Sequence, residues 1–212
     1  DPAIYARVLK DLAQVNTVTM ARRPTLAFLN RVTARSSSPL RILDVGFGDG
    51  DMLRRIAHWA KARHQSVELV GIDLNRRSAE AAMTRTSASL PITYRTGDYA
   101  DLAGEPWDVI LSSLVAHHMT HDQLVTFLRF MKRHAKRGWF INDLHRHGFA
   151  YAGYPLLARI CGWHRIVRED GTLSIARSYR PGEWPPLLAE ANINNARVFR
   201  TFPFRLCVEA IR

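Results

Sequence analysis

The sequence predicts an α/β fold built on a mostly parallel sheet. Three observations carry that prediction. Short β-branched runs alternate with amphipathic segments from Leu40 onward, a glycine-rich turn follows the first of those runs, and the chain closes on two strand-like runs separated by Pro203. With 212 residues, 47% of them apolar, the chain can bury one substantial core but not two comfortable ones.

Residues 3–34 read as two helical segments divided near Asn16-Thr17 or at Arg23-Pro24, and a Ser-Ser-Ser-Pro linker follows at 36–39. This gives a helical cap over residues 1–38 ahead of a main domain over 39–212. Within that domain the pattern predicts a strand over 41–45, a helix over 52–61, a strand over 67–72 and a helix over 77–87, the order of βαβ units with parallel pairing. Strands over 92–95, 107–112 and 139–142 continue the series, giving five parallel strands in all. A helix over 121–136 separates the last two, its Leu124, Phe127, Leu128 and Met131 recurring at helical spacing. A long segment over 144–180 follows, with a helix near 154–160 and a turn at Asp170-Gly171. Such a segment, at the carboxyl edge of the sheet, builds or covers a site and is expected to form a lid. A proline-led helix over 181–191 and strands over 196–202 and 205–211 complete the chain.

The formal charge is +11, carried by basic pairs such as Arg22-Arg23, Arg54-Arg55 and Lys132-Arg133. Several stand at helical spacing and read as solvated helix faces, so a small molecule is favoured as partner over nucleic acid and the oligomeric state stays open. Cys161 and Cys207 are far apart and lack metal-type spacing. They read as buried thiols of a cytoplasmic protein with no metal site. No apolar run reaches membrane-spanning length, and nothing near the N-terminus resembles a secretory signal. Because the chain starts at Asp1 rather than Met, a longer parent chain is expected.

The most informative stretch is Leu43-Asp44-Val45-Gly46-Phe47-Gly48-Asp49-Gly50-Asp51-Met52, where a strand ends in an acid and passes through three alternating glycines into a helix. The glycines permit a tight turn and let a ligand touch backbone. A dinucleotide fingerprint wants its third glycine one place later, where Asp51 stands, and the carboxylates of Asp44, Asp49 and Asp51 oppose a pyrophosphate. A cationic ligand such as S-adenosylmethionine suits them better. The second strand ends in Asp73-Leu74, at the interval where such folds place a ribose-binding acid. The third ends in Thr96-Gly97-Asp98-Tyr99, an acid for an adenine amino group beside an aromatic that could pack on the ring. Glycine loop, ribose acid and adenine acid at three successive strand ends form a far more specific pattern than any one of them.

On these residues the chain, from about residue 40 to 212, resembles the class I methyltransferases, in particular the small-molecule branch that includes ubiquinone/menaquinone-type enzymes. The resemblance implies a Rossmann-like, seven-stranded, mostly parallel sheet with an antiparallel last strand. It also implies Asp44, Gly46 and Gly48 near the methionine part of S-adenosylmethionine, Asp73 on its ribose, and Asp98 with Tyr99 near its adenine. Val109-Ile-Leu-Ser-Ser-Leu-Val-Ala-His-His-Met119 is similar to the group's fourth strand, where the backbone around Ser113 and Leu114 faces the cofactor. Asn142-Asp-Leu-His-Arg-His147, with residues 167–177, resembles bacterial methyltransferases associated with polyketide-type products, which implies phenolic or quinone-like acceptors. One departure is Phe47, where the group commonly has cysteine or serine; the larger ring is expected to narrow the cofactor pocket.

Methyl transfer requires an acceptor held near the sulfonium methyl, exclusion of water and, for a hydroxyl acceptor, removal of a proton. His117 and His118 after the fourth strand, and His145 and His147 after the fifth, lie at the right edge. His118 and His145 lead as candidate bases, His117 stands behind them, and Asp143 either orients His145 or caps the next segment. Against this stands the plain alternative that a His-His-Met turn packs and caps. The histidine pairs lack a third ligand for a tetrahedral metal. Tyr151, Tyr154, Trp163 and Trp184 would suit a flat or greasy acceptor if they line the lid, although aromatics at such spacing more often fill a core.

The expected function is therefore S-adenosylmethionine-dependent methylation of a small hydroxylated aromatic, quinone-like or polyketide-like acceptor, at oxygen first and carbon second. An RNA or protein methyltransferase is the alternative that the charge suggests, although no Asn-Pro-Pro-Tyr-like motif follows the fourth strand. A catalytically inactive cofactor-binding partner protein is another. A nicotinamide dehydrogenase is opposed by the glycine spacing.

Overall fold

The computed structural model describes residues 2–33 and 39–212. Two helices come first, α1 (Pro2–Val18) and α2 (Arg23–Thr33), so the break falls between the two positions expected for it. Thr19 returns its hydroxyl to Val15 O and Met20 takes a left-handed φ of 48°, which turns the chain. The serines of the expected linker, 36–38, lie outside the described residues.

The sheet strands are β1 (Leu40–Val45), β2 (Val67–Asp73), β3 (Ile92–Thr96), β4 (Trp107–Ser113), β5 (Ala135–Leu144), β6 (Arg197–Thr201) and β7 (Arg205–Ile211). Their spatial order is β3-β2-β1-β4-β5-β7-β6. Strands β1 to β5 pair in parallel, and β7 runs antiparallel between β5 and β6. This is the expected seven-stranded sheet with its antiparallel last strand. The order reverses between β1 and β4, which opens a crevice at their carboxyl ends. Helices α3 (Asp51–Ala62), α4 (Arg76–Arg85), α5 (His121–His134) and α8 (Trp184–Glu190) cover the faces, while α6 (Gly148–Ile160) and α7 (Arg165–Arg177) stand over the carboxyl edge.

The period-2 alternation of the strands divides the core into two layers. Leu43, Val45, Ile110 and Ile141 face α5 and α8, whereas Ile42, Leu69, Val109 and Phe140 face α2, α3 and α4. Phe28 of α2 stacks on Phe140 at 4.9 Å between centroids, which fixes the cap to the sheet.

Three expectations are corrected. Helix α5 stops at His134, not at 136, because Ala135 takes extended geometry and pairs with Trp107 as the first residue of β5. Asp170-Gly171 is no turn but the middle of α7. Gly171 is there because α6 crosses so closely that a Cβ would stand 2.4 Å from the Tyr154 ring. Of the two cysteines only Cys207 is buried; Cys161 caps the end of α6 in solvent. Among the described residues no helix is long and apolar enough to cross a membrane.

Candidate active site

A cavity of about 580 Å³ opens at the carboxyl ends of β1 and β4, within the size range of small-molecule sites. One wall is the glycine loop, with Asp44, Gly46 and Gly48; another is the end of β4, with Ser113, Leu114, His117 and His118. Helix α1 and the turn after it contribute Leu12, Val15, Thr19 and Arg22, and α6 contributes Tyr154 and Leu157.

The loop owes its shape to backbone conformations closed to most side chains. Gly46 has φ 76°, and a Cβ there would meet Val115 Cγ2 at 2.3 Å. Gly48 N donates to Asp73 Oδ2 at 3.0 Å, so the ends of β1 and β2 are joined at the loop. Phe47, expected to narrow the cavity, is among its lining residues. Its ring is 5% exposed and turns under the loop against Tyr94, in space that Gly71 leaves by having no side chain.

The loop carboxylates differ in electrostatic state. Asp49 pairs with Arg54 and Arg85, and Asp51 with Arg22 at 2.7 Å. The acid excess expected of this loop is thereby largely neutralised. Asp44 is the exception: it is buried, its Oδ1 has no partner, and burial, with the nearby charge of Asp73, pushes its pKa up to about 8. A cationic group in the cavity would stabilise its ionised form.

The other expected cofactor residues sit differently. Leu74 is 75% exposed and outside the cavity lining. Asp98 is exposed after β3, accepting from Ala100 N at 2.9 Å. Gly97 N donates to Asp73 O at 3.0 Å, which places Asp98 beside the end of β2. Tyr99 is half-buried, its ring 4.8 Å from both Phe127 and Phe130 and packed against the core that α5 covers. Leu114 takes φ 61°, an unusual conformation for a branched residue, and its N–H donates to Asn142 O.

Among the histidines the structure alters the ranking. Asp143 does not orient His145. It faces His117, accepting the backbone N–H at 3.0 Å and standing 2.7 Å from Nδ1, with both side chains 2% exposed. A carboxylate only accepts, so Nδ1 carries a hydrogen toward it, and Nε2 is buried with no partner among the described residues. His118 is exposed at the cavity wall, its pKa lowered by burial of part of the ring and by His117. His145 is buried at the same cavity, its N–H on Phe204 O, and its pKa is lowered by burial and by His147. Of the expected aromatic set only Tyr154 lines the cavity. Trp163 bonds Gln14 and holds α1 to the lid, while Trp184 packs on Tyr179 in the core. Arg22, which the sequence presents as part of a solvated helix face, lines the cavity, as does Arg205, which nothing in the sequence marks among so many arginines. Among the described residues no three His, Cys, Asp or Glu side chains converge as metal ligands.

This architecture has known counterparts. Residues 42–138 match the family described as methyltransferase domain. No curated protein matches the chain significantly. Among solved structures, the plantazolicin methyltransferase BpumL, in complex with a pentazolic desmethylPZN analog and SAH, superposes with a TM-score of 0.72 at 15% identity, covering 98% of this chain and 90% of its own. Magnesium protoporphyrin IX methyltransferase from Synechocystis PCC 6803, with bound SAH, gives 0.61 at 18% identity, covering 92% and 83%. The CMeT domain of the citrinin polyketide synthase gives 0.65 at 14% identity over 89% of this chain, which spans only 51% of that one. The family match covers the central strands, and the seven-stranded sheet is the fold that this chain shares with these S-adenosylhomocysteine-bound methyltransferases.

Proposed function

We propose that this protein transfers the methyl group of S-adenosylmethionine to an oxygen of a small, planar, hydroxylated acceptor, with His117 as the base. The observation that carries the reading is the buried His117–Asp143 pair: His117 lines the same cavity as Asp44, and His117 Nε2 and Asp44 Oδ1 are both buried without a partner among the described residues. The azole-bearing and magnesium-porphyrin systems named for the similar structures support a flat acceptor.

The cofactor is S-adenosylmethionine, which supplies an electrophilic methyl on a sulfonium. Asp44 fits its cationic part, because a buried, unpartnered carboxylate gains most from a positive charge. Gly46 and Gly48 allow close backbone approach, with Ser113 and Leu114 on the facing wall, and Asp73 accepts from the ribose hydroxyls. Asp98, next to the end of β2, is assigned to the adenine amino group, without Tyr99.

On the acceptor side, Asp143 holds the imidazole with Nε2 as the acceptor atom. Nε2 takes the hydroxyl proton as the oxygen closes on the methyl carbon, and the imidazolium that forms is stabilised by Asp143. The cap and lid exclude water from that step. His118 and His145, with lowered pKa values and, among the described residues, no ion pair to a carboxylate, line the cavity and are not assigned the proton.

Calorimetric titration with S-adenosylmethionine, S-adenosylhomocysteine and NAD tests the cofactor assignment. Saturable binding of the first two and none of NAD is expected, and binding of NAD alone would overturn it. His117→Ala should retain S-adenosylhomocysteine binding while losing turnover on phenolic acceptors.

A further inference from the structure

Arg205, the first residue of β7, is 2% exposed yet lines the cavity. Its Nη2 donates to Thr19 Oγ1 at 3.1 Å, while Nε and Nη1 are buried with no partner among the described residues. Among the described residues no carboxylate lies within ion-pairing distance of it. Asp143, whose charge reaches it, is already committed to His117 and to Leu144 N. A buried guanidinium with unpartnered donors is costly, and such groups persist where something compensates them. Burial pulls its pKa down to about 10, so the charge survives at neutral pH.

Its place identifies the ligand. Arg205 pairs in register with Leu144, next to Asp143, whose carboxylate holds His117 and whose charge reaches the guanidinium, and Arg205 and His117 line the same cavity. The glycine loop belongs to the other half of the sheet, at β1. The three N–H groups on Nε and Nη1 form a donor set for an oxyanion.

We propose that Arg205 is an anion subsite for the acceptor, which therefore carries a carboxylate in addition to the hydroxyl that is methylated. This rests on the methyltransferase reading above and narrows its substrate class to hydroxylated aromatic acids. Thr19 of the cap is a positioning residue that holds the guanidinium from behind.

The test is calorimetric titration of the protein saturated with S-adenosylhomocysteine, using benzoate and benzamide, two probes of nearly the same shape that differ in charge. Benzoate should bind at least about tenfold tighter, the usual gain of a charge-assisted contact. Arg205→Gln should bring the two probes within about twofold of each other while leaving S-adenosylhomocysteine affinity unchanged, and Arg205→Lys should keep part of the preference. Equal binding of the two probes by the unaltered protein, no binding of benzoate, or a preference that survives in Arg205→Gln each overturns the proposal. So does loss of S-adenosylhomocysteine binding in Arg205→Gln, which would give Arg205 to the carboxylate of the cofactor. If Arg205→Gln does not fold, the benzoate preference of the unaltered protein and its reduction in Arg205→Lys decide. Failure of the unaltered protein to bind S-adenosylhomocysteine counts against the methyltransferase reading instead, and the benzoate preference is then measured on the ligand-free protein.

Discussion

Asp143 grips His117 at two points, the ring through Oδ1 at 2.7 Å and the backbone N–H through Oδ2 at 3.0 Å. One carboxylate thus sets both the tautomer of the imidazole and the position of the turn that carries it. Asp143→Asn keeps the volume but lets the amide present a donor to Nδ1, which favours the wrong tautomer. The expected outcome is a fall in kcat of about 10²–10⁴, the range of a lost base, with S-adenosylhomocysteine affinity within about threefold. Steady-state kinetics alongside calorimetry checks it, since a purely structural role would move both.

The raised pKa of Asp44 predicts a pH dependence. In the fold this acid keeps its proton up to about pH 8, whereas the unfolded chain loses it near the ordinary value of 3.8. Its contribution to the stability of the ligand-free protein is therefore full below pH 3.8 and lost as pH rises toward about 8. Asp44→Asn should stabilise the ligand-free protein at pH 8 by about 1–3 kcal/mol, read by urea unfolding, and should weaken cofactor binding. A cationic ligand should also expel the proton. Titrations at pH 7 in buffers of different ionisation enthalpy should show proton release in the unaltered protein and none in Asp44→Asn.

Gly46→Ala tests the loop. The added Cβ would meet Val115 Cγ2 at 2.3 Å, in a backbone conformation with φ 76° that alanine resists. Destabilisation of about 1–3 kcal/mol and at least tenfold weaker cofactor binding are expected, with thermal unfolding and calorimetry as the measurements.

Gly171→Ala tests the lid. Its Cβ would stand 2.4 Å from the Tyr154 ring, whose hydroxyl is anchored on Val167 O at 3.0 Å. Helices α6 and α7 should then separate at a cost of about 1–3 kcal/mol, visible as faster hydrogen exchange in the two lid helices and not in the sheet.

What could be read from the sequence follows from how local the signal is. Strand β1, the glycine loop and α3 are contiguous in the chain, so their acids, glycines and periodicity identify them without the rest of the fold. Residues joined across the sheet are not legible that way. The local sequence offers Asp143 two roles, orienting His145 or capping the next segment, yet its carboxylate faces His117, because β4 and β5 lie side by side with Ser113 opposite Asn142. Tyr99 follows its acid as an adenine-stacking residue would, but Phe127 and Phe130 of α5 claim its ring. Arg205 looks like one more surface charge in a strongly basic chain, and only the insertion of β7 between β5 and β6 buries it.

That insertion also orders the events of biosynthesis. Strands β1 to β3 and their helices can associate while later residues are still being made, whereas the slot between β5 and β6 stays open until residues 205–211 have emerged. A nascent chain can therefore assemble its β1–β3 half first while carrying an unfilled β5 edge until residues 205–211 have been made, the interval in which it is most exposed to aggregation and to chaperones.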